Sequence, residues 1–160
     1  MKKISLLVIA GFIMILNLSA RNISYETASF KLDLNDKGEI VSILDKLKNT
    51  EYLPAGQIAP LLSIRVKGVL EYPSMLRQKN NILTLSFNEN KVEAQVRVIT
   101  KSGYISFELI DLTKTEIVEL VVWGPYPTSI RETIGECVGV VRDKQFAIGI
   151  QSLNVKTLGG

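Results

Sequence analysis

Apolar and polar residues alternate with period two along most of this chain, and that alternation limits what it can fold into. In Lys91 to Thr100, Val92, Ala94, Val96 and Val98 share one face, while Lys91, Glu93, Gln95 and Arg97 share the other. Successive side chains of a strand point to opposite sides, so such a run is a half-buried strand of an antiparallel sheet. Lys101-Ser102-Gly103 is a short turn, and Tyr104 to Leu112 alternates again, with Ile105, Phe107 and Leu109 on the apolar side. The pair reads as a hairpin with a Gly-containing loop.

The same reading places further strands at Phe30 to Leu34, Glu39 to Leu44, Leu62 to Val66, Leu83 to Phe87 and Val118 to Val122. Two more follow, one carrying Val138 and Val140 and one carrying Phe146, Ile148 and Ile150. That makes about nine or ten strands, with turns roughly every eight to twelve residues. A helical reading of Ile43 to Lys48 loses to a hairpin, because Gly38 and the Asn49 corner bracket the segment. The expected fold is an all-β antiparallel β-sandwich, supersandwich-like, with a closed barrel as the alternative. Strand should make up roughly two-thirds of the ordered part or more, with no helix longer than about two turns.

Residues 1–20 stand apart from this pattern. Lys2 and Lys3 precede an apolar run from Ile4 to Leu16, and Asn17-Leu18-Ser19-Ala20 supplies a small residue for cleavage. This is the pattern of a secretory signal peptide cut after Ala20, which implies a periplasmic or extracellular protein. A membrane anchor is the weaker alternative, since the run falls short of the roughly 20 apolar residues a bilayer span needs. No membrane association is expected once the signal is removed. Residues 21–155 form the expected sandwich domain. Residues 156–160 read as the start of a linker or of a truncated continuation, so the sheet is expected to be incomplete at the C-terminus.

Losing Lys2 and Lys3 lowers the formal charge from +3 to +1. The remaining Lys and Arg are scattered, so nucleic acid is not an expected partner. Cys137 is the single cysteine, which forbids an internal disulfide and reads as a small buried hydrophobe. The chain contains no His. Ser-His-Asp and Cys-His catalysis and His-based zinc sites are therefore excluded within it. Asp33, Asn35 and Asp36 could offer oxygens to calcium, but such residues are ordinary in turns, and the turn is preferred. No cofactor or metal is expected.

One segment, "VVWGPYPTSIRETIGE" (121–136), invites a functional reading. Gly124 opens conformations closed to other residues, and Pro125 and Pro127 stiffen the backbone beyond it. Trp123 and Tyr126 would then be held with little freedom to lose, which suits stacking on a sugar ring. Packing at the end of the sandwich is the competing role for both, with Trp123 expected to be mainly structural and Tyr126 more exposed. Arg131 and Glu132 are candidates for contacting hydroxyls. Ser129-x-x-Glu132 also matches a capping box for a short helical turn through Ile134. Glu132, Glu136 and Asp143 are close in sequence, but glycoside hydrolysis needs two carboxylates on opposite sides of one bond. Nothing in the spacing selects such a pair, so no catalytic residue is assigned.

The segment "FKLDLNDKGEIVSILDKLKNTEYLPAG" resembles the opening hairpin of galactose-mutarotase-like supersandwich domains, through Ile40, Ser42-Ile43, Asp45-Lys46, Asn49 and Glu51-Tyr52-Leu53. "WGPYPTSIRETIGECVGVVRDKQFAIGIQSLN" resembles N-terminal portions of large polysaccharide-degrading proteins. The resemblance implies a secreted bacterial glycoside hydrolase or related protein, with this chain as a non-catalytic N-terminal module. Its implied partners are a polysaccharide or oligosaccharide and a downstream catalytic domain of the same parent chain. Mutarotase chemistry, which in its family uses a His acid, has no such residue here. A structural or adhesion-type sandwich that binds protein is the alternative, and a self-contained glycoside hydrolase is a second one.

Overall fold

A computed structural model describes residues 22–135 and 139–157 of the chain. The expected signal segment, Cys137, Glu136, Val138 and the final three residues lie outside the described residues. Every regular element among those described is a strand, and every pairing is antiparallel. The fold is all-β and sandwich-like.

The first sheet is a meander of β1 (Ile23–Glu26), β2 (Phe30–Leu34), β3 (Ile40–Asp45) and β4 (Thr50–Glu51). Its β2–β3 hairpin is shaped by the turn from Asn35 to Gly38. The Asn35 carboxamide oxygen accepts from the Lys37 and Glu39 amides at 3.0 and 2.9 Å. Gly38 has φ +87 and lies beneath Leu85, so a side chain there would be strained and would collide with the Leu85 methyl. The oxygens weighed for calcium thus belong to a turn and a strand: Asp33 accepts from the Ser24 hydroxyl at 2.6 Å and pairs with Lys31 at 2.8 Å.

β5 (Leu62–Val66) and β6 (Val69–Glu71) form a tight hairpin, and β11 (Leu120–Trp123) joins β5 on its other side. Between them the chain builds a four-stranded meander of β7 (Met75–Lys79), β8 (Ile82–Phe87), β9 (Val92–Thr100) and β10 (Ile105–Leu112). A last small sheet contains β12 (Thr133–Ile134), β13 (Gly139–Arg142) and β14 (Ala147–Ile150).

The core follows the alternation. Leu83, Leu85, Phe87, Val92, Ala94, Val96 and Val98 are buried, as are Leu62, Ile64 and Val66 of β5 and Leu32, Leu34, Ile40 and Ile43 of the first sheet. Tyr25 of β1 meets Phe107 of β10 edge to face at 6.2 Å, locking the first sheet to the meander. Leu61 and Leu62 are wholly buried where the segment entering β5 runs alongside the start of β3, the Ile40 amide donating to the Ala59 carbonyl at 2.7 Å and the Leu61 amide to the Gly38 carbonyl at 2.9 Å.

Fourteen elements are present among the described residues, more than the nine or ten expected. The additions are edge strands: β1, β4, β6 and β12 have two to four residues, too few to show a period, and β7 reads MLRQK with Leu76 its one buried residue. Strand makes up 52 % of the described residues, below the expected two-thirds, because the corner after β11 and the turns take the rest. Strand β11 starts at Leu120 rather than Val118.

Candidate functional site

The corner after β11 begins with Trp123, which pairs with Leu62 of β5 and packs half-buried against the core. Gly124 is buried with φ +85, and a Cβ there would stand 3.0 Å from the Tyr126 amide nitrogen. The Gly124–Pro125 peptide is cis. The Gly124 carbonyl accepts from the Ser63 hydroxyl at 3.4 Å.

Tyr126 turns inward. Its hydroxyl donates to the Leu61 carbonyl at 2.6 Å, and burial holds the phenol far above its ordinary value. Trp123 and Tyr126 are both half-buried against the core. The Tyr126 hydroxyl is committed to a backbone oxygen that would otherwise be poorly partnered, at 3.4 Å from the Gly124 amide.

Further along, the Ser129 amide donates to the Tyr52 carbonyl at 2.8 Å, and Ile130 is 6 % exposed. No helical turn forms at the capping-box match. Thr133 and Ile134 instead pair with Arg142 and Val141, since strand partners are available and so short a helix would be marginal. Arg131 and Glu132, between the buried Ile130 and β12, are exposed. The structure thus separates the four candidates. Trp123 and Tyr126 face inward and fix the corner, and Arg131 and Glu132 face solvent.

Tyr52 holds a second contact that sequence reasoning missed. Its ring stacks on Phe146 at 4.6 Å and 10°, and its hydroxyl donates to the Asp143 carboxylate at 3.1 Å. The other Asp143 oxygen accepts from the Gln145 and Phe146 amides, both at 2.7 Å. These amide bonds come first in holding the Asp143 carboxyl below the ordinary carboxylate value, with the Tyr52 hydroxyl adding to them. Asp143 is therefore a structural carboxylate at the tip of the β13–β14 hairpin. Only the Glu51-Tyr52-Leu53 phrase drew attention to Tyr52, and nothing local points to partners some ninety positions away.

An open cleft of about 340 Å³ lies between β3 and the segment after β4, lined by Glu39, Val41, Glu51, Leu53, Pro54 and Gln57 among others. The Glu51 carboxylate there is engaged with the Ser42 hydroxyl and with the Ile43 and Leu53 amides, at 2.6 to 2.8 Å. Among the described residues, no group of three or more acidic, His or Cys side chains is arranged to hold a metal.

A scan against family models finds no match, and neither the curated proteins nor the solved structures searched contain one.

Proposed function

We propose that the chain acts, after export to the periplasm or cell exterior, as a non-catalytic β-sandwich module of a carbohydrate-active protein that assists polysaccharide binding. The observation that carries this reading is the hydrogen bond from Tyr126 to the Leu61 carbonyl. With the Ser129–Tyr52 bond, it fastens both ends of the corner to the core and leaves Arg131 and Glu132 exposed on a stiff support. Preorganised polar groups lose little entropy when they meet sugar hydroxyls. In this reading Arg131 and Glu132 contact the saccharide, and Trp123 and Tyr126 position them. Further support comes from the family-like opening segment, which forms the β2–β3 hairpin, and from the signal-like residues 1–20.

The test is affinity electrophoresis of the exported chain through gels containing soluble polysaccharides. Replacing both Arg131 and Glu132 with Ala should weaken retention by about tenfold, the loss expected for hydrogen bonds to charged groups. The thermal melt should not move. Retention equal to wild type would remove the corner as a contact.

A further inference from the structure

The outer face of the β7–β10 meander carries a polar row that crosses all four strands. Arg77 stands opposite Thr84, Thr84 opposite Gln95, and Gln95 opposite Asp111. Adjacent strands lie about 4.8 Å apart, so these side chains form a ladder at that spacing. Within the row, Arg77 is committed to Glu93 at 2.8 Å. In the adjoining row, Arg97 is committed to Glu108 at 2.8 Å. Thr84, Gln95 and Asp111 make no side-chain hydrogen bond to another described residue. Asp111 is exposed, Thr84 and Gln95 are half-buried, and none of their polar atoms is buried without a partner.

A bulge completes the row. The β9–β10 register shifts between Leu109 and Asp111, leaving Ile110 as the extra residue. With unbroken pairing, Ile110 would stand opposite Gln95 and put an apolar group into the ladder. The bulge sets Asp111 there instead, while Leu112 returns to the inner side opposite Ala94. Bulges re-aim side chains in this way and are frequent beside functional sites.

The charge of the face decides what fits it. Arg77, Lys79 and Arg97 are balanced by Glu93, Glu108 and Asp111, and two of the cations are already in ion pairs. No net field attracts a polyanion or a polycation. A donor-and-acceptor ladder on a face of balanced charge matches a ligand that is itself neutral, extended and rich in hydroxyls.

We propose that Thr84, Gln95 and Asp111 form a binding strip for a neutral polysaccharide laid across the strands. The strip rests on the carbohydrate-binding function proposed for the chain but is separate from Arg131 and Glu132. It is tested in the full exported chain with Thr84→Val, Gln95→Ala and Asp111→Ala, singly and together. The probes are gels of hydroxyethyl cellulose, xylan, galactomannan and, as the acidic control, polygalacturonate. The triple variant should lose retention on a neutral polymer by tenfold or more, on the order of one charge-assisted hydrogen bond, with an unchanged melt. If the triple variant unfolds early, Asp111→Ala alone serves, because its exposed side chain has no protein partner to lose. Retention of the row variants equal to wild type overturns the strip and leaves the carbohydrate-binding function standing. Selective retention by polygalacturonate overturns the neutral assignment. Wild type passing every gel unretarded overturns both.

Discussion

The Tyr52 ring lies parallel to the Phe146 ring at 4.6 Å, and its hydroxyl reaches the Asp143 carboxylate beside it. Tyr52, just after β4 of the first sheet, thereby clamps the last hairpin by stacking and by a hydrogen bond. Phe146→Ala removes the stack and about half a side chain's burial. The cost should be about 2 kcal/mol, from lost apolar burial plus the aromatic pair. Amide hydrogen exchange should locate it: β13 and β14 should exchange faster, while β8 and β9 keep their protection. Uniform loss across all strands would show that the small sheet does not open independently.

The Asp143 carboxyl gives this clamp a pH dependence. Its folded value lies below the ordinary 3.8, so its stabilisation is complete above that value and is lost as pH falls through the folded value. Exchange at the Gln145 and Phe146 amides should accelerate below about pH 4 by this linkage. In Asp143→Asn the acid step should vanish. An acid step of equal size in both proteins would assign the effect to another carboxylate.

The corner should behave as packing first. Trp123→Ala should cost about 3 kcal/mol, as aromatic truncations against a core do. Tyr126→Phe should cost about 1 kcal/mol, since it removes the short partner of the Leu61 carbonyl. Burial raises the Tyr126 phenol, so its stabilisation is full below the ordinary value of 10.0 and fades as pH climbs toward the higher folded value. Tyrosinate absorbance formed by about pH 11 should therefore be the same in wild type and Tyr126→Phe. A smaller signal in the variant would mean that the phenol is open to solvent.

Local pattern made the hairpins legible and left their assembly unreadable. Val92, Ala94, Val96 and Val98 alternate without a break, and the Lys101-Ser102-Gly103 turn fixes where β10 must return. Asn35 and Gly38 similarly announce β2–β3. By contrast, β11 pairs with β5 across the whole meander, and no local period encodes that choice. The inward turn of Tyr126 depends on the Leu61 carbonyl, far away in sequence. The capping-box match at Ser129 failed because Thr133 and Ile134 had strand partners that only the folded chain brings near. Arg131 and Glu132 were legible as polar corner residues, whereas Gln95 and Asp111 became a row only once the bulge fixed the register.

The β5–β11 pairing has a consequence for the order of events at the ribosome. Glu119 bonds the Arg65 backbone and its carboxylate meets the Arg65 side chain at 3.2 Å, across 54 positions. At synthesis rates of about 5–20 residues per second, one flank of β5 waits roughly 3–10 s for its neighbour to emerge. During that interval the intervening meander can close on itself through short loops, while an apolar strand stands with an open ladder. The nascent chain is thus most vulnerable to mispairing between the emergence of β5 and that of β11, while the meander between them is forming.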